Sequence, residues 1–128
     1  MKITQITTTS RYAKLTDDTS FFIQYDALLT DVERNSKWSV AYCPDLVFMD
    51  NNIQCNVTVE FEQSRVILHI TNFKETLSAY STITLRNVGC FVIQRDYQED
   101  SEKVVLVVQT YCDNDKEEEL ERAIEQVM

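Results

Sequence analysis

The sequence has one histidine, His69, the side-chain type that most often moves protons in enzymes. As base to a nucleophile it needs a serine or cysteine on one ring nitrogen and an acid on the other. No G-x-S-x-G elbow announces such a trio, and His69 lies inside the apolar run Val66–Ile70. It reads as a structural histidine. Glu60 and Glu62 share one face of a strand pattern, where carboxylates ordinarily meet solvent. Cys43, Cys55, Cys90 and Cys112 are widely spaced without a C-x-x-C pair, so four free thiols are expected rather than disulfides or zinc. Asp45, Asp50 and the other loop acids match no calcium-loop spacing. The single glycine, Gly89, excludes a phosphate-cradling loop. No catalytic residue, cofactor or metal site is therefore assigned, and the chain is read as a non-enzyme.

Charge is the second chemical resource. The net charge is −9, from 21 acids and 12 bases. Asp96 to Glu125 holds eleven acids and three bases, which leaves ten acids and nine bases elsewhere. The acidity is thus concentrated in one loop, with Asp96, Glu99 and Asp100, and in a terminal segment with Glu118, Glu121 and Glu125. On a helix the last three share one sector, rising about 1.5 Å per residue. Such a ridge either solvates the surface or fits a basic channel on a partner. Direct contact with nucleic acid is disfavoured, because that requires a basic footprint.

The elements that must position these groups can be read from periodicity. At 128 residues, with no repeat or linker, one domain spanning 1–128 is expected. Phe21, Phe22, Tyr25, Leu28, Leu29 and Val32 fall on one helical stripe, capped by Thr19 or Ser20. The β-prone FFIQY opening leaves a strand over Phe21–Leu29 as the alternative. Trp38–Cys43 alternates as a strand, and Leu46–Met49 is a short apolar run closed by Asp50-Asn51-Asn52. Ile53–Glu62 alternates strictly and pairs with Val66–Ile70 as a hairpin. Asn72–Tyr80 suits a short helix, Ile83–Leu85 and Cys90–Ile93 suit strands with a bend at Gly89, and Tyr97–Lys103 reads as a polar loop. Val104–Tyr111 is apolar on both faces, as in a covered central strand. Asp115 and Glu118 form a D-x-x-E cap for a final helix with Leu120, Ala123, Ile124 and Val127 as its stripe. Trp38, Tyr42, Phe48, Phe61 and Phe73 are expected in the core.

The fold class is therefore α+β: a mainly antiparallel sheet of about five to seven strands, flanked by an N-terminal-half helix and a C-terminal helix. This element order loosely resembles the type III secretion chaperone fold, whose small acidic members form dimers, and also a pleckstrin-homology-like arrangement. No residue role is carried over from either.

The expected function is a non-catalytic protein-binding module, such as an adaptor, chaperone-like protein or small complex subunit. The alternative is an acidic inhibitor, of the kind viruses and phages encode, that occupies a basic nucleic-acid-binding surface on its target. A protein partner is expected, and the terminal apolar stripe leaves a homodimer open. The opening MKITQITTTSRYAKL has no apolar signal core, and Val104–Val108 is too short to span a bilayer. The expected compartment is the cytoplasm, that of the host if viral, with no membrane contact.

Overall fold

The computed structural model describes residues 2–48, 50–85, 87–112 and 120–124. Among them, strands β1 (Ile3–Thr8), β3 (Thr19–Tyr25), β7 (Arg65–Thr71) and β6 (Asn56–Phe61) form a four-stranded sheet in the order β1-β3-β7-β6. Strands β2 (Tyr12–Lys14), β10 (Leu120–Ile124), β9 (Asp100–Cys112), β8 (Gly89–Tyr97), β4 (Lys37–Cys43) and β5 (Ile53–Gln54) form a six-stranded sheet in the order β2-β10-β9-β8-β4-β5. Every pairing is antiparallel. Three short helices, α1 (Asp31–Asn35), α2 (Phe73–Leu77) and α3 (Thr82–Leu85), and a 3₁₀ turn at Leu46–Phe48 complete the described elements.

The two sheets bury one apolar cluster between them, drawn from β3 and β7 on one side and from β4, β8, β9 and β10 on the other. Its centre is aromatic: Phe21 of β3 meets Phe91 of β8 edge-on at 5.1 Å, and Tyr42 and Phe73 pack on Phe91 at 5.0 and 5.4 Å. The alternating run from Ile53 to Phe61 serves both sheets. It pairs with β4 as β5, passes Cys55, whose N–H donates to the Val40 carbonyl at 2.8 Å, and continues as β6 beside β7.

The strands read over Trp38–Cys43, Ile53–Glu62, Val66–Ile70 and Cys90–Ile93, and the helix within Asn72–Tyr80, all stand in the structure. The flanking helices do not. The N-terminal-half helix from Phe21 is strand β3, in which Thr19, Phe21, Ile23 and Tyr25 are buried and alternate with half-buried neighbours. Pairing on both edges, with β1 and β7, selects the extended backbone that the FFIQY segment already favours. Helix begins only at Asp31, where Thr30 and Glu33 form a capping box.

The C-terminal helix is overturned at residues 120–124, which form β10 between β2 and β9. Leu120, Arg122 and Ile124 are buried at a spacing of two, a period that the helical stripe through Leu120 and Ile124 had absorbed. The Asp115–Glu118 cap lies outside the described residues.

Ile83–Leu85 falls in helix α3 instead of a strand. The polar loop at 97–103 contracts to a tight hairpin between β8 and β9, with Gln98 at φ 52°. Strand β9 is covered on one face only: Leu106 and Val108 are buried, whereas Val105 is exposed.

Gly89 opens β8 beside the end of β4, with which that strand pairs. A Cβ there would stand 2.6 Å from the Cys43 carbonyl oxygen and 2.7 Å from the Tyr42 hydroxyl. The Gly89→Ala substitution is expected to lower stability by about 1–3 kcal/mol, the usual range for overpacking. Urea unfolding checks this: the midpoint should fall with an unchanged slope, and an unchanged midpoint would show that β4 yields freely.

Candidate functional site

The turn between β4 and β5 presents apolar side chains where the sequence suggested core. Val47 is 81% exposed and Phe48 is 65% exposed. Val88, 47% exposed, adjoins them through its carbonyl, which accepts from the Leu46 N–H at 2.8 Å. Phe48 was expected inside with Trp38, Tyr42, Phe61 and Phe73, and its placement outside is a correction. Pro44 follows β4 without an amide donor, and the 3₁₀ turn after it rotates the Val47–Phe48 pair away from both sheets.

The turn is held by hydrogen bonds instead of burial. The Asp45 carboxylate accepts from the Val47 N–H at 3.0 Å and from the Asn87 amide at 3.3 Å. The Phe48 N–H donates to the Asp45 carbonyl at 3.0 Å. Beneath the turn the Cys43 thiol donates to the carbonyls of Asp45 at 3.0 Å and Phe48 at 3.5 Å. Beside Phe48 runs an open groove of about 800 Å³, bordered by Asp45, Leu46, Asp50, Asn51, Thr84 and Asn87. Both charged residues described on its lining, Asp45 and Asp50, are acidic.

A second constellation lies on the outer face of the four-stranded sheet. Ser20 of β3 sits opposite His69 of β7, and its hydroxyl is 2.7 Å from His69 Nδ1. His69 Nε2 is 3.0 Å from Glu60 Oε2 on β6. A carboxylate only accepts, so Nε2 donates to Glu60; in the neutral tautomer this defines, Nδ1 accepts from Ser20. The serine, base and acid that the sequence could not assemble thus stand in one row across three strands. Sequence reading missed Ser20 because it was assigned to the start of a helix; strand periodicity with a β3–β7 register is the signal that finds it.

The row can relay a proton, but its setting is open. His69 and Glu60 are 37% and 58% exposed. The Ser20 N–H, which could have served an oxyanion, donates to the Thr9 hydroxyl at 3.1 Å.

The acidic residues singled out by sequence are dispersed. Asp96, Glu99 and Asp100 lie at the β8–β9 turn. Arg95 pairs with Asp100 at 2.9 Å and lies 3.5 Å from Glu102, which offsets part of that charge. Hydrogen bonds from Gln94 and Ser101 lower the pKa of Asp96 below its ordinary value. Glu121 lies on β10 with its backbone opposite Lys14, and Glu118 and Glu125 lie outside the described residues. A helical ridge through Glu121 is therefore excluded by the extended backbone.

Cys43, Cys55 and Cys90 are free thiols, in keeping with the sequence reading. Burial pushes the Cys55 thiol up to about 12 and the Cys90 thiol up to about 11. Neither is primed as a nucleophile. Among the described residues no group of three His, Cys, Asp or Glu side chains could hold a metal ion, and no helix is long and apolar enough to cross a membrane. Comparison with protein-family models, curated proteins and solved structures finds no significant match.

Because the Ser20 amide is engaged and the row is open to water, Ser20 is expected to stay unmodified by a phosphonofluoridate probe. Intact-mass measurement checks this. A stoichiometric adduct on Ser20 that disappears in the His69→Ala variant would make the row a working nucleophile.

Proposed function

We propose that this protein is a non-catalytic protein-binding module whose recognition element is the Val47–Phe48 projection with its adjoining groove. The observation that carries this reading is an exposed aromatic on a turn fixed from several sides. Scattered exposed apolar residues are common on protein surfaces, but Val47 and Phe48 are adjacent and line one groove. Aromatic anchors near a pocket supply most of the binding energy in protein interfaces. A turn already held in its presenting conformation loses little entropy on association. The acidic border at Asp45 and Asp50, on a chain of net charge −9, favours a partner segment that carries apolar residues flanked by lysine or arginine.

The acidic-inhibitor reading retains one supporting feature, the carboxylates of Asp96, Glu99, Asp100 and Glu102 around the β8–β9 turn. It ranks second because Arg95 sits among them, bonded to Asp100.

Replacing the anchor tests the leading reading. Quantitative affinity capture from source-cell extract is compared for the wild type, the Val47→Ser/Phe48→Ser double variant and a His69→Ala control. The double variant is expected to weaken binding about 30-fold, corresponding to a hot spot of about 2 kcal/mol. The control should bind as the wild type does. Equal capture by all three proteins would place recognition elsewhere on the surface.

A further inference from the structure

Among the described residues the two sheets have four lateral edges, and three are unsuited to pairing with another chain. Strand β2 has three residues and β5 has two. Strand β1 breaks register between Ile3 and Gln5. Short or irregular edges are the ordinary means of preventing edge-to-edge association. The fourth edge, β6, is different. It pairs with β7 over six consecutive residues without irregularity, and its sequence NVTVEF contains neither proline nor lysine.

The hydrogen-bond alternation shows which groups this edge offers. The Glu62 N–H donates to the Arg65 carbonyl at 2.8 Å, continuing the β6–β7 register beyond Phe61. Asn56, Thr58 and Glu60 therefore bond towards β7, and the N–H and C=O groups of Val57, Val59 and Phe61 point outward. None of these three residues has a backbone partner on that side among the described residues. The side chains of the same three residues are only half-buried, in contrast to Val66, Leu68 and Ile70 beside them on β7.

We propose that β6 is a dimerisation edge that pairs antiparallel with β6 of a second copy, joining the two four-stranded sheets into one of eight strands. A two-fold axis at Val59 sets Val57 opposite Phe61 of the second copy and Thr58 opposite its Glu60, so a hydroxyl meets a carboxylate and all three outward amides find partners. An axis at Glu60 is disfavoured because it would oppose the two Glu60 carboxylates. Charge permits the approach. Outside Asp96–Glu125 the chain carries ten acids and nine bases, and β6 belongs to that nearly neutral part. This inference is independent of the Val47–Phe48 reading, and each can fail without the other.

Sedimentation equilibrium from about 1 to 200 μM, combined with amide hydrogen exchange, provides the test. The expected result is a species of twice the 15.0 kDa chain mass at high concentration. Exchange at Val57, Val59 and Phe61 should slow by at least tenfold as the dimer fills, while Thr58 and Glu60 remain protected throughout. The Val59→Pro variant, which removes an outward N–H and no β6–β7 bond, should stay monomeric. If that variant does not fold, wild-type exchange decides alone. A monomer across the whole range overturns the proposal, as does a dimer in which the three outward amides still exchange at their dilute-solution rates.

Discussion

The contact between Phe21 and Phe91 lies at the centre of the apolar cluster that the two sheets bury between them. Phe21 comes from the second strand of one sheet and Phe91 from the middle of the other, and both are fully buried. Tyr42 and Phe73 complete the cluster, Tyr42 lying edge-on to Phe73 at 5.4 Å. Aromatic pairs in such geometries contribute about 0.5–1.5 kcal/mol beyond their burial, and truncating one phenylalanine in a core costs about 3–5 kcal/mol. The outer faces inherit their order from this contact. With β3 and β8 fixed face to face, β7 takes its register from β3, and Ser20, His69 and Glu60 come into line.

A buried cation sets the position of β10. Arg122 is 1% exposed, and its guanidinium donates to the carbonyls of Leu15 at 2.8 Å and Asp17 at 2.7 Å. It also lies 5.6 Å from the centre of the Phe73 ring. Burial lowers its pKa against the opposing pull of Asp17 and Asp18, so the charge is held at a desolvation cost that carbonyl dipoles offset. This arrangement requires residues 120–124 to be extended between β2 and β9. A helix would set Arg122 roughly opposite Leu120 and Ile124, whereas a strand aims all three inward.

This is where the sequence was legible and where it was not. Segments with one period were read correctly: Ile53–Glu62 alternates without exception, and the structure divides it between two sheets without changing the alternation. Segments carrying two periods at once were misread. Phe21, Phe22, Tyr25, Leu28 and Leu29 fit a helical stripe, yet Phe21, Ile23 and Tyr25 also fit a strand, and only long-range pairing decides between them. At residues 120–124 the buried position between Leu120 and Ile124 is an arginine, a residue type seldom found inside, which hid the spacing of two. The candidate site was harder to read. Phe48 is a residue type expected inside, and nothing local shows that the chain after Pro44 turns away from the core. His69 and Glu60 were both noted in the sequence, but their meeting depends on the β6–β7 register and Ser20 on the corrected β3.

The exposure of Val47 and Phe48 is better explained by the turn beneath them than by any shortage of core space. Burying either side chain would be worth about 1.5–3 kcal/mol. The backbone around them is nevertheless secured without that contribution: by Asp45 through its carboxylate and carbonyl, by the Cys43 thiol, and by the Val88 carbonyl. The same corner contains Gly89, whose missing side chain lets β8 approach the Cys43 carbonyl within a distance no Cβ tolerates. Polar bonds, a buried thiol and a glycine together fix the chain that carries two exposed hydrophobes. On the proposed reading, a partner would meet the Val47–Phe48 turn already formed, with apolar area open to burial and little backbone entropy left to lose.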